Sequence, residues 1–338
     1  MMHLLAAPDK FRGSATAAEV AHAIAVGAYR AGWSAHELPL ADGGEGTLEA
    51  LGGANRRSVV TGPLGSPVEA QWRLDEGVAV IETAKVSGLE LVGGPEANDP
   101  LHASTRGTGE LIAHALDLGA RRVIVGVGGS ATSDGGVGAV DVLRGRAPLG
   151  VSVEVACDVQ TRFLEAAVVY GPQKGANPEQ VQILTRRLQA LGERYRREFG
   201  IDVSSVPGAG AAGGLAGGLA ALGARLTPGF ELVARAVGLE TELQHVEMVI
   251  TGEGLLDATS FAGKVVGGVL QKAAAHAKPA VVIAGDVAPG LSASVPTISL
   301  VTRFGTKAAW HETHECIARA VTEALSARGR NVAVPDRT

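Results

Sequence analysis

The residues most able to do chemistry stand in loops that follow short apolar runs. Val123-Ile-Val-Gly-Val ends in Gly128-Gly129-Ser130-Ala131-Thr132-Ser133-Asp134-Gly-Gly136, which leads into a helical pattern. Glycines there let backbone N–H groups turn inward as an anion nest, and the helix N-terminus adds partial positive charge. Such a loop suits a phosphate; the alternative is a tight turn whose glycines only permit close packing. It is no Walker A loop, because GxxxxGK[ST] occurs nowhere in the chain. Gly126-x-Gly128-x-x-Ala131 also fits the loose dinucleotide fingerprint.

Acids and bases stand in comparable places. Asp42 and Glu45 follow the run His36–Ala41, and they suit either a helix N-cap with its partner three residues on or a catalytic or ligand-binding carboxylate. Thr251-Gly-Glu253-Gly-Leu-Leu-Asp257 follows Val246–Ile250 as a second acidic, glycine-rich loop, and Lys264 precedes a helix where an anion could sit. Lys174, in the turn Gly171-Pro-Gln-Lys-Gly-Ala176, is a solvated lysine by default and a phosphate clamp by alternative. Cys157 beside Asp158 reads as a buried structural thiol, since no histidine lies in a partner motif. His311-Glu-Thr-His314 is one residue short of a zinc motif and opens the last helix on its wet face. The literal GxGxxG at Gly208, Gly210 and Gly213 lacks the flanking strands a dinucleotide site needs, so it reads as packing. No metal site built from protein ligands alone is evident.

Short apolar runs alternating with amphipathic stretches must position these loops, which is the pattern of an α/β protein. Leu4–Ala7 and His36–Ala41 are expected strands, with a helix opened by the capping box Thr16…Glu19 between them. Arg57–Thr61, Val68–Leu74 and Val78–Thr83 suggest antiparallel hairpins. Further strands are expected at Arg122–Val127, Val151–Ala156, Val246–Ile250, Ala280–Ala284 and Thr297–Val301. Helices are expected at Gly109–Leu118, Pro178–Glu198, Leu232–Val237, Val265–Ala275 and Ala308–Ser326. The ends of the chain then form one parallel-sheet domain, residues 1–55 and 243–338, with residues 56–242 inserted into it.

Composition narrows the function classes. With 46% apolar and 19% charged residues the chain can bury a core, which excludes a disordered tail. A net charge of −5 with scattered Lys and Arg argues against nucleic acid. Val203–Ala224 carries no charge over 22 residues, but seven glycines and few leucines make it a buried, closely packed helix rather than a membrane span. Two cysteines and an N-terminus without a basic, apolar leader point to the cytoplasm.

Eight stretches together resemble one family. They are Ala7-Pro-Asp-Lys-Phe-Arg-Gly-Ser14, Ala41-Asp-Gly-Gly-Glu-Gly-Thr47, Thr61-Gly-Pro-Leu-Gly65 and Ser104-Thr-Arg-Gly-Thr-Gly-Glu-Leu-Ile112, then Gly128–Gly136, Gly171–Ala176, Pro207–Gly214 and Thr251–Gly254. In this order they resemble the bacterial glycerate kinase type-1 family. The resemblance implies ATP-dependent phosphorylation of D-glycerate to 2-phosphoglycerate, with Mg²⁺. It also implies a parallel, Rossmann-like (flavodoxin-like) three-layer domain, an inserted α/β domain with some antiparallel strands, and a site in the cleft between them. The chain departs from the family pattern at Lys10 and Arg12, over Gln160–Phe163, and at Leu255 and Thr259.

On this resemblance, charge and position suggest roles. Gly128, Gly129, Ser130, Thr132 and Lys174 would hold the nucleotide phosphates. Asp9, Lys10, Arg12 and Arg106 would hold the glycerate carboxylate, with Glu45 and Lys264 as further substrate contacts. Asp42 is the preferred general base, with Asp134, Asp158 and Glu253 as alternatives; Asp134 or Glu253 could instead meet the Mg²⁺ that arrives with ATP. The expected partners are these small molecules alone, with no membrane, in a monomer or homodimer. Rival readings are a kinase of a related hydroxy acid or polyol, a nucleotide-dependent oxidoreductase, and a non-catalytic anion sensor.

Overall fold

The computed structural model describes residues 2–147, 149–291 and 295–331. Internal packing divides the chain into one unit of residues 1–41 with 233–338 and another of residues 42–232. These seams fall before the anticipated ones after residues 55 and 242; the anticipated domain's last seven residues lie outside the described residues.

The first unit is a five-stranded parallel sheet. Its strands are β1 (His3–Ala6), β2 (Ser34–Glu37), β9 (Met248–Leu256), β10 (Ala280–Val287) and β11 (Thr297–Ser299), in the order β11-β10-β9-β1-β2. Within the unit that is the 2-1-3-4-5 order of a doubly wound sheet, whose switch point lies beside β1 and β9. Leu4, Ala6, Ile250 and Ile283 pack against Ile24 of the helix Ala17–Arg30 and Ile317 of the helix Thr313–Asn331. Val282, Ala284 and Leu256 face Val266 of the helix Val265–Ala275 on the other side, so the unit has three layers.

The capping box is present as expected: the Thr16 hydroxyl accepts from the Glu19 N–H, and the Glu19 carboxylate accepts from the Thr16 N–H. Four local expectations needed correction, one of them the strand expected at Thr297–Val301, which ends at Ser299 where the helix Leu300–Phe304 begins. The second strand runs Ser34–Glu37 rather than on to Ala41, although Leu38 and Leu40 still donate to Ala6 and Pro8. The third strand of the unit continues through Thr251–Leu256, because β10 keeps pairing with it as far as Val287. The last helix is two, broken at Glu312 between Thr306–His311 and Thr313–Asn331.

The second unit is a six-stranded sheet in simple order: β3 (Arg56–Thr61), β4 (Pro67–Asp75), β5 (Val78–Glu82), β6 (Arg122–Gly126), β7 (Ser152–Ala156) and β8 (Arg225–Thr227). The first three pair antiparallel, as the hairpin reading expected, and β5 to β8 are parallel. Val123, Val125 and Val155 face a core with Leu111, Ile112, Leu184 and Leu188 of the helices Arg106–Asp117 and Pro178–Phe199. Val80, Ile124 and Ala156 face Leu48 and Leu232 on the other side. The uncharged stretch 203–224 is a helix only over Leu215–Ala221; Ala212, Gly213 and Gly214 before it are left-handed. No helix among the described residues is long and apolar enough to cross a membrane.

Candidate active site

In the second unit, four chain segments meet at the carboxyl ends of the parallel strands. The glycine loop leaves β6 at Gly126, Cys157-Asp158 leaves β7, Thr83 leaves β5 and Pro228-Gly229 leaves β8. The segment 42–46 is seated on the same edge. A Cβ on Gly43 would lie 2.7 Å from Ala156 Cβ, and one on Gly128 would lie 2.8 Å from Gly44 Cα. The backbones therefore touch where a side chain would keep them apart. Glu82, buried at the end of β5, accepts from the Leu48 N–H at 2.7 Å, and Asp158 Oδ1 accepts from the Gly229 N–H at 2.6 Å. Asp42, Glu45, Gly128, Gly129 and Asp158 thus share one edge.

Asp42 is not the helix cap of the alternative reading. The short helix begins at Thr47 behind Gly46, which offers no side-chain cap, and Asp42 Oδ1 accepts from the Gly44 N–H within its own turn. Glu45 is exposed and Asp42 half-buried. Both acids therefore stand in a loop at the strand edge.

The glycine loop presents backbone rather than hydroxyls. Gly129 is exposed and Gly128 half-exposed, whereas Ser130, Thr132 and Ser133 are buried. Ser130 Oγ accepts from Lys174 Nζ at 2.8 Å, and the Thr132 hydroxyl points to Ala212 O at 3.4 Å. The expected side-chain phosphate contacts of Ser130 and Thr132 are thus turned inward, because the loop is packed on that face against the segment 207–214. Gly129 sits at φ +64°, which a side chain rarely adopts, and a Cβ there would meet Ala84 Cβ at 3.2 Å.

Lys174 is not solvated. It lies in a turn after the helix Ala166–Tyr170, is only 4% exposed, and donates to Ser130 Oγ and to Thr132 O at 2.6 Å. Burial pulls its ammonium down to about 7, against the opposing pull of Asp134. Asp134 Oδ2 accepts from the Thr105 N–H and hydroxyl, each at 2.9 Å, and from the Gly138 N–H; Oδ1 accepts from the Gly136 N–H. Burial outweighs those bonds and holds its carboxyl above the ordinary range. Asp134 is therefore a brace between the glycine loop and the helix Arg106–Asp117, with three donors crowding one oxygen. Asn98 was missed in the sequence: its amide donates to Ala131 O and Lys174 O, and nothing in an Asn-Asp-Pro turn signals this.

Arg106 opens its helix with an exposed side chain paired to Glu110 at 2.8 Å. Burial opposes charge on Glu110, but the Thr61 N–H and hydroxyl together with Arg106 outweigh it and hold that carboxyl below its ordinary range. The glycines of 207–214 pack, as expected: a Cβ on Gly208 would lie 3.0 Å from Cys157 Sγ, and one on Gly213 would lie 2.0 Å from Thr132 O. Cys157 is buried and its thiol is pushed up by burial, which suits a structural residue.

In the first unit, the loop after β1 runs along β9. The Ala7 and Asp9 N–H groups donate to Ile250 O and Gly252 O, at 2.8 and 2.9 Å, and Gly254 lies against the Phe11–Arg12 backbone. Asp9, Lys10, Arg12 and Glu253 therefore gather at the switch point, with Glu253 on a strand rather than a loop. Arg12 is exposed, and Asp9, Lys10 and Glu253 are half-buried. Lys264 stands at the N-cap of Val265–Ala275 without a side-chain cap bond.

Two α/β units with charged loops at the carboxyl ends of parallel strands describe an enzyme whose ligands sit at strand ends. A family model described as the glycerate kinase family matches residues 4–147 and 142–334. Glycerate 2-kinase of Escherichia coli strain K12 is 40% identical over 327 residues, covering 85% of this chain and 86% of that one. Glycerate kinase of Bacillus subtilis strain 168 is 39% identical, with 85% of each chain covered. A crystal structure from Salmonella typhimurium LT2, assigned as glycerate kinase 2, superposes with a TM-score of 0.84 at 36% identity, covering 98% of this chain and 100% of that one. The chain belongs to the glycerate kinase family and is a kinase.

Proposed function

We propose that the protein phosphorylates D-glycerate at its 2-hydroxyl, with Mg-ATP as donor. The observation that carries this is the shared edge in the second unit, where the exposed Gly128–Gly129 backbone lies against the Asp42–Glu45 segment. Phosphoryl transfer needs positioning and charge stabilisation more than covalent help. The backbone of Gly128 and Gly129 seats the phosphates, and a side chain at either would press on Gly44 or Ala84 and displace that backbone. Asp42 accepts the proton of the attacking hydroxyl, and Glu45 orients that network. Lys10 and Arg12 hold the carboxylate of glycerate by charge-assisted bonds, with Asp9 and Arg106 as further contacts.

The described residues contain no cluster of three or more metal-ligating side chains. A phosphate-borne Mg²⁺ keeps several waters and takes only one or two carboxylates, which Asp158 or Glu253 can supply. When bound, it neutralises charge on the transferred phosphoryl group.

The test is ADP release with Mg-ATP across small hydroxy acids and polyols, with glycerate the best acceptor. Coupling the product to enolase and pyruvate kinase without phosphoglycerate mutase reads the regiochemistry. Signal that needs added mutase would mean 3-phosphorylation and overturn the 2-hydroxyl assignment.

A further inference from the structure

Lys174 has a hydrogen-bonding environment built for an amine without its third proton. Its Nζ is buried and meets two acceptors, Ser130 Oγ at 2.8 Å and Thr132 O at 2.6 Å. A neutral amine has two N–H donors, which these acceptors satisfy; an ammonium carries a third donor that needs a partner. Asn98 holds the lysine's own backbone by donating to Lys174 O at 2.8 Å.

We propose that Lys174 is a positioning residue that is neutral in the nucleotide-free enzyme and takes up a proton when phosphate settles on the Gly128–Gly129 backbone. This rests on the reading of that loop as the phosphate seat. The proton converts a strut under Ser130 and Thr132 into a positive charge behind them, so the loop meets an anion with an ammonium only when the anion is there.

The titratable groups on the elements around the lysine are consistent with that balance. Asp134, from the same loop, favours the charged form, and burial disfavours it. The Tyr170 ring lies with its centroid 6.0 Å from Nζ, and burial raises the Tyr170 hydroxyl. Tyr195 donates its hydroxyl to Gly135 O and is likewise pushed up by burial. Beside Asn98, Asp99 is paired with His102 at 2.7 Å at the surface. With the amine at about 7, roughly nine-tenths of it is neutral at pH 8, and a nearby phosphate favours the charged form.

The experiment is calorimetric titration of the enzyme with Mg-ADP at pH 8 in two buffers of different ionisation enthalpy. The nucleotide's phosphates are already ionised there, with second pKa values about 6, so they take up no proton. The expected result is a buffer-dependent heat equal to uptake of roughly 0.5–0.9 proton per nucleotide. In Lys174→Met that uptake is lost and Mg-ADP binds about tenfold more weakly, the effect of one charge-assisted interaction. Should that variant not fold, the wild-type Kd decides: it should rise towards tenfold per pH unit between pH 7.5 and 9.5. Binding whose heat is the same in both buffers, uptake that persists in Lys174→Met, or a pH-independent Kd overturns the proposal. Absence of any Mg-ADP binding overturns the phosphate-seat reading itself, and this proposal with it.

Discussion

The carboxylate of Glu82, 2% exposed at the end of β5, accepts the Leu48 N–H at 2.7 Å and so fixes the Asp42–Glu45 segment to the sheet edge. Glu82 is itself remote in sequence from what it holds. Glu82→Ala leaves a buried N–H without this acceptor and should cost about 1–3 kcal/mol. Its kcat should fall further than the lost stability explains, because Asp42 is no longer held. Denaturant unfolding with ADP-release kinetics checks both; a destabilised variant with normal kcat would detach this anchor from catalysis.

Asp42→Asn tests the base assignment. Asn keeps an oxygen for the Gly44 N–H, which Asp42 now accepts at 3.2 Å, so the turn and the melting temperature should change little. Loss of a general base should lower kcat by about 10²–10⁴-fold. A variant with unchanged kcat leaves Asp42 as a turn residue only.

The inward hydroxyls and outward backbone of the glycine loop predict opposite mutant behaviour. Thr132→Val removes a hydroxyl whose bond, to Ala212 O, is long at 3.4 Å. It should cost about 1 kcal/mol of stability or less and leave the ATP KM nearly unchanged. Gly129→Ala forces a side chain into φ +64° against Ala84; the strain is about 1–2 kcal/mol, and the ATP KM should rise. If Thr132→Val raised KM and Gly129→Ala did not, the side chains would be the phosphate contacts after all.

Much of the scaffold was legible because its signals are local. Leu4–Ala6 reads as a buried strand from its apolar run, and Thr16 with Glu19 reads as a helix start from spacing alone. The exposed charged groups of the site, such as Arg12 and Glu45, were legible because they follow strands. What was not legible depends on partners far along the chain. Glu253 belongs to a strand only because β10 continues beside it, and Lys174 is buried only because the glycine loop, more than forty residues earlier, lies over it. The stretch 203–224 lacks any charge that would mark a break, yet Ala212–Gly214 turn left-handed to fit against Thr132 and Ser133. Asn98 is found only once the two carbonyls it joins are in place.

The buried lysine also predicts a pH dependence of stability whose sign is opposite to that of a paired histidine. Its folded value, about 7, lies below the ordinary 10.5. Between those two values the unfolded chain binds the proton and the folded enzyme does not, so stability rises with pH across that window. Below about 7 both states are protonated and the contribution is constant. The slope is at most about 1.4 kcal/mol per pH unit, and it is superposed on every other titrating group. The comparison with Lys174→Met removes those shared contributions. The stability of wild type relative to Lys174→Met should therefore increase steadily from pH 7 to pH 10, measured by denaturant unfolding at constant ionic strength. A difference that stays flat over that range, in two folded proteins, would mean that Lys174 keeps its proton when folded and that Asp134, rather than burial, sets its charge.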